Sequence, residues 1–153
     1  MTSAVKWAAF VLVAVMLGLQ VVRPAHTNPA TDPALTLERT VDVPPDVLNT
    51  FASACNDCHS NQTNWRWYTY VAPISWFTVS DVNRGRAELN ISVWGSYRAR
   101  MRETRLRAIC ELARKRRMPL PAYALVHREA NLSSSQITAL CEWTAHAAPA
   151  TAR

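Results

Sequence analysis

Cys55-Asn56-Asp57-Cys58-His59 is the stretch on which the reading of this chain turns. With four cysteines and four histidines in 153 residues, a Cys-x-x-Cys-His run arises by chance roughly 0.003 times. The spacing has a chemical purpose. Thiols one helical turn apart can each add to a porphyrin vinyl group, and the adjacent histidine then falls under the iron as an axial ligand. Three other readings compete. A redox-active dithiol would normally follow a strand in a βαβ unit, and no such pattern surrounds this one. A zinc site needs a second ligand pair, which Cys110 with Cys141 or His127 could supply. A plain disulfide leaves His59 without a role. Covalent haem is the reading adopted.

Around this motif the composition is that of one packed domain. Apolar residues make up 49 % and charged residues 18 % of the chain, which argues against wholesale disorder. The only glycines are Gly18, Gly85 and Gly95, so neither a dinucleotide-binding nor a Walker-type phosphate loop is possible. Plentiful Ala, Leu, Arg and Glu lean the chain towards helix.

Lys6 precedes an apolar run from Trp7 to Val22. Sixteen residues give roughly 24 Å of helix, a little short of a hydrocarbon core. The expectation is a retained single-pass transmembrane anchor over residues 1–22. A cleaved secretory signal is the alternative, but cutting after Ala25 or Ala30 puts Arg23 or Asn28 where a small residue is needed. Either reading exports the remainder. Residues 23–43, with Pro24, Pro29 and Pro33, are expected to form an extended linker. The haem domain is then 44–147, followed by a disordered tail, 148–153.

A haem needs a second axial ligand or an open face. Met118-Pro119 follows a basic helical segment, and proline can hold a thioether at a fixed place. A methionine ligand is soft and raises the potential. Met118 is therefore the expected distal ligand, with His127 the next candidate and simple core filling the bland alternative.

The sequence resembles the monohaem c-type cytochromes and, more narrowly, the small membrane-anchored haem-binding domain proteins of bacteria. The likeness runs from Gln20 and His26-Thr27-Asn28-Pro29, through Cys55-x-x-Cys58-His59-Ser60-Asn61-x-Thr63 and Trp65-x-Trp67-Tyr68, to Ala72-Pro73-Ile74-Ser75-Trp76. It continues with Asp81-Val82-x-x-Gly85-Arg86 and Leu89-Asn90-x-Ser92-x-Trp94. It closes with Met118-Pro119, Tyr123, His127-x-x-Ala130-x-Leu132-Ser133 and Trp143. The family usually has Pro where Arg66 stands and Ser where Thr69 stands, and Cys110 and Cys141 lie outside its pattern. The resemblance implies haem binding and an all-α, cytochrome c-like fold in which the first helix of the domain crosses the last. Phe51 should then meet the Leu140–Trp143 region. The candidate haem pocket comprises Trp65, Trp67, Tyr68, Pro73, Trp76, Arg86, Trp94 and Tyr123. Its aromatics read either as a dry wall around the porphyrin or as ordinary core.

Local signals agree with a helical domain. Pro44-Pro45-Asp46 can start a helix, with Val47, Phe51 and Ala54 on one face. Ser133-x-x-Gln136 is a capping-box pattern opening a last helix. Cys110 and Cys141 fall on two expected helices, where a disulfide and two buried thiols are both allowed. Residues 98–117 hold nine Arg or Lys against Glu103 and Glu111. Such a face could steer an acidic redox partner, rest on anionic lipid, or simply be solvated. Nucleic acid fits an exported domain poorly.

The expectation from sequence is thus a one-electron carrier with a single covalent haem c, held by Cys55 and Cys58. Its iron lies between His59 and Met118, on the periplasmic side of the bacterial inner membrane. The porphyrin edge near the two cysteines is the expected electron port. No catalytic acid, base or nucleophile is needed. A haem peroxidase or gas-binding sensor with a labile or absent sixth ligand is the alternative from the enzyme class. A structural zinc module is the third.

Overall fold

Residues 2–147 are described by the computed structural model; the expected tail, 148–153, lies outside them. All regular elements among these residues are helical: α1 (Ser3–Leu19), α2 (Leu37–Thr40), α3 (Pro45–Ala54), α4 (Asn56–His59), α5 (Ile74–Glu88), α6 (Ala99–Arg114), α7 (Pro121–Val126) and α8 (Ser134–Ala147), joined by short 3₁₀ turns. The all-α expectation is met.

Helix α3 starts as its sequence directs. Pro45 sits in the first turn, where no amide hydrogen is needed, and Asp46 lies at the positive end of the dipole. Val47, Thr50, Phe51 and Ala54 recur at helical spacing and are buried. Against this face packs α8, opened by the capping box: Gln136 N–H donates to Ser133 Oγ, and Ser133 N–H to Gln136 Oε1 at 2.8 Å. Phe51 meets Trp143 edge to face, with ring centroids 5.7 Å apart. The expected contact between the domain's first and last helices is present.

Helix α6 lies along α8. Its buried positions, Leu106 and Ala113, are seven residues apart on one stripe. Glu103 with Arg107 and Glu111 with Lys115 pair along its exposed side. Cys110 of α6 is bonded to Cys141 of α8, with Cα atoms 4.8 Å apart.

Two expectations are corrected. Residues 23–43 do not form a free linker. They belt the domain, burying Leu37 at 1 % exposure and Val43 at 8 %. His26 Nε2 bonds Thr69 O at 2.8 Å, and Asn28 Nδ2 donates to Thr63 O at 3.0 Å. The prolines stiffen this belt and do not hold the domain at a distance. The expected transmembrane helix is not found either: no helix among the described residues is long and apolar enough to cross a membrane. Helix α1 stops at Leu19 after 17 residues, about 25 Å at the helical rise. Gln20 turns the chain and bonds Ala72 through both its amide atoms.

The disulfide closes a 31-residue separation, so the Cys110→Ser/Cys141→Ser variant should lose about 3–4 kcal/mol of unfolding free energy. Urea denaturation checks this, and reductant should bring the parent chain to the same midpoint.

Candidate functional site

The chain leaves α3 at Cys55 and turns once more through α4. The backbone N–H of His59 donates to Cys55 O at 2.9 Å, closing the single turn that carries the motif. The ring is held from behind: His59 Nδ1 lies 3.0 Å from Gly85 O and 2.9 Å from Leu89 O. Carbonyl oxygens only accept, so Nδ1 carries the proton and Nε2 keeps its lone pair.

Both carbonyls are anchored. A Cβ at Gly85 would stand 2.5 Å from Cys58 O, so α5 can approach the motif this closely only because residue 85 is glycine. Beyond Leu89, Asn90 Nδ2 donates to Asn61 Oδ1 at 2.7 Å, and Ser92 Oγ accepts from Asn61 N–H at 2.9 Å. This buried network ties the end of α5 to the segment after His59.

Two apolar cavities, about 410 and 370 Å³, adjoin the motif. His59 and Met118 border both; Cys55 borders the larger and Cys58 the smaller. Phe51, Ile109, Leu112 and Leu140 contribute to the larger wall. Met118 is brought there by a tight helix end. Arg117 N–H bonds Leu112 O and Arg116 N–H bonds Ala113 O, the Schellman arrangement. It puts Arg116 at φ 53°, a left-handed conformation costing about 1–2 kcal/mol for a residue with a side chain. The Arg116 guanidinium also donates to Leu132 O across the loop. Met118 N–H then points back to Leu112 O at 3.3 Å.

Of the other expected pocket residues, only Tyr123 borders either cavity. Trp67 is 80 % exposed. Trp65 Nε1 donates to Asn28 Oδ1 in the belt and Trp76 Nε1 to Val22 O just before it, so both turn to the amino-terminal segment. Pro73 sits in a cis peptide just before α5. Arg86 donates to Ser60 O, Thr27 O, Asn28 Oδ1 and Thr63 Oγ1, fastening the belt to the segment after His59. Trp94 is fully buried in the core. Tyr68 bonds His127 Nε2 at 2.5 Å, so His127 faces a phenol and borders neither cavity.

The sequence reading passed over Asp57 and Arg105. Asp57 Oδ1 accepts from Asn64 N–H and Oδ2 from Tyr123 O–H; its place inside the motif was the available signal. Arg105 borders the larger cavity, with its guanidinium carbon 4.1 Å from the Tyr97 ring centre. Only its place on the basic segment marked it.

The thiols of Cys55 and Cys58 are unbonded. Burial pushes each up from 9.0 to about 12, with the neighbouring Cys58 adding for Cys55 and Asp57 adding for Cys58. Such thiols stay protonated at neutral pH, the opposite of an activated redox dithiol. Cys110 and Cys141 are spent on each other, and no group of three or more His, Cys, Asp or Glu among the described residues could hold a metal ion. The zinc arrangement is therefore unsupported.

A haem fits the residues present. Paired thiols, an imidazole with a free Nε2 and a thioether border apolar space of ligand-sized volume. Arg105 Nε and Trp94 Nε1 are buried N–H donors without a hydrogen-bond partner among the described residues. Arg105, at the larger cavity, suits a ligand that carries carboxylates.

A helical domain with these donors beside apolar cavities is of the haem-binding class. The chain belongs to the haem-binding domain family, whose model matches residues 14–146. No curated protein and no solved structure matches it.

Two outcomes are expected. Gly85→Ala should destabilise the fold by about 2–3 kcal/mol through overpacking against Cys58 and reduce haem loading, checked by denaturation and pigment yield. In haem-free protein the raised thiol values cut the thiolate fraction at pH 8 by roughly a thousandfold, so alkylation should be slow. The protonated thiols favour the folded state: their contribution is complete below about pH 9 and is lost as pH climbs towards about 12. A pH series of denaturation midpoints checks the sign.

Proposed function

We propose that the chain is a monohaem c-type cytochrome that carries one electron at a time. Cys55 and Cys58 would hold a single porphyrin through thioethers, with His59 and Met118 as the axial donors. The observation that carries this reading is that His59 and Met118 border both cavities beside the two thiols. When bound, the haem supplies a one-electron couple at iron.

The residues contribute orientation and environment. Donation from His59 Nδ1 to Gly85 O and Leu89 O fixes the tautomer and makes Nε2 a better donor. The Met118 thioether is uncharged and soft, which favours the reduced state. Phe51, Ile109, Leu112, Leu132 and Leu140 keep water from the larger cavity, and a low dielectric disfavours the state of higher charge. The basic side of α6 would steer an acidic redox partner. Arg105 would take a carboxylate of the porphyrin. We place the domain on the periplasmic side of the inner membrane, delivered by the apolar α1. The Cys110–Cys141 bond supports an oxidising compartment.

The test is a visible spectrum of protein made with the haem-attachment machinery, before and after dithionite. The expected result is a c-type α-band that survives acid–acetone extraction, with a weak ferric band at the red edge that Met118→Ala abolishes. A colourless protein would contradict the reading. A high-spin ferrous spectrum with rapid CO binding would favour peroxide or gas chemistry at an open iron.

A further inference from the structure

The Met118 loop is closed at its upstream end onto α6, but that alone does not register it against the Cys55–His59 motif. Registration comes from a row of contacts between two segments distant in sequence, 57–68 and 123–129. Tyr123 O–H donates to Asp57 Oδ2 at 2.8 Å. Tyr68 Oη and His127 Nε2 are hydrogen-bonded at 2.5 Å. Arg66 reaches Glu129 at 3.7 Å, with both side chains roughly half exposed, and contributes little. The tyrosines are the substantial ties, because their partners are a carboxylate and a buried imidazole.

The ties form one unit. The Tyr123 ring stacks on His127 with centroids 4.2 Å apart and planes 16° apart. His127 is 3 % exposed and its Nδ1 faces Glu129 Oε1 at 3.4 Å. Tyr123 itself borders the smaller cavity with Cys58, His59 and Met118. Asp57 lies between the two cysteines, so the Tyr123 bond ties the segment after Met118 to a side chain of the motif itself.

We propose that Tyr123 is a positioning residue: bonded to Asp57 and seconded by the Tyr68–His127 tie, it holds the Met118 thioether beside the cavities that His59 also borders, and so sets how easily another ligand displaces it. The proposal rests on the reading of His59 and Met118 as axial donors. Losing the tie leaves the fold in place but frees the loop to swing, so an added ligand competes with a less well-placed sulfur. Core packing by Tyr123 alone would predict a change in stability without a change in ligand displacement.

The experiment is imidazole titration of the full-length ferric holoprotein, following the weak red-edge band that a thioether–iron bond gives. Parent, Tyr123→Phe, Tyr68→Phe and Ser133→Ala are compared. Ser133→Ala removes the cap of α8 and touches neither segment. The expected result is about a tenfold lower half-displacing imidazole concentration in Tyr123→Phe, from the loss of one charge-assisted bond. Tyr68→Phe should shift in the same direction, while Ser133→Ala melts earlier but titrates as the parent. If Tyr123→Phe yields no holoprotein, Tyr68→Phe decides. Parent-like titration of the tyrosine variants, with the band present in all, overturns the positioning role and leaves Met118 as ligand. A parent lacking the band overturns the Met118 reading and this proposal together.

Discussion

His59 gives its Nδ1 proton to the carbonyls of Gly85 and Leu89, and much of the architecture serves to put those two oxygens there. They sit on the last turn of α5 and just beyond it. Helix α5 can lie against Cys58 only because Gly85 has no side chain. The Asn61–Asn90–Ser92 network fixes the chain after Leu89. An imidazole so held has one nitrogen left to offer, aimed into apolar space. An imidazole fixed from behind in this way is suited to serve as a metal ligand through Nε2.

The remaining structure sets what that nitrogen faces. The disulfide-linked pair α6 and α8 walls the larger cavity, while the Schellman end of α6 turns the chain towards Met118. Arg116 occupies the left-handed position that glycine usually takes, and its guanidinium spans the loop to Leu132. A glycine there would relieve the backbone but give up that brace. The tyrosine ties then register the loop against the motif. Three separate parts of the chain thus converge on the cavities beside the motif, and hydrogen bonds fix each of them.

What the sequence revealed was local or chemically specific. Cys55, Cys58 and His59 were legible because the spacing itself carries the chemistry. Helix α3 and the cap of α8 were legible because Pro45, Asp46, Ser133 and Gln136 act within one turn. The loop bearing Met118 was legible because proline marks a helix end. The aromatic-rich middle misled: Trp65 and Trp76 turn their ring N–H groups to the amino-terminal segment, and composition cannot tell a bracket from a pocket wall. Residues 23–43 read as a linker because prolines disfavour regular structure, yet they can still pack when Leu37 and Val43 find a core. The anchor expectation depended on the whole run to Val22 staying helical, and the helix ends at Leu19. Carbonyl positions, such as those behind His59, leave no mark on side-chain identity.

The central claim is that the Cys55–His59 motif carries a covalently bound porphyrin. The most direct measurement is the mass of the proteolytic peptide containing these residues, from protein made with the haem-attachment machinery and alkylated under denaturing conditions. The account predicts one porphyrin per peptide, with neither Cys55 nor Cys58 alkylated. An unmodified peptide with both thiols alkylated would contradict it.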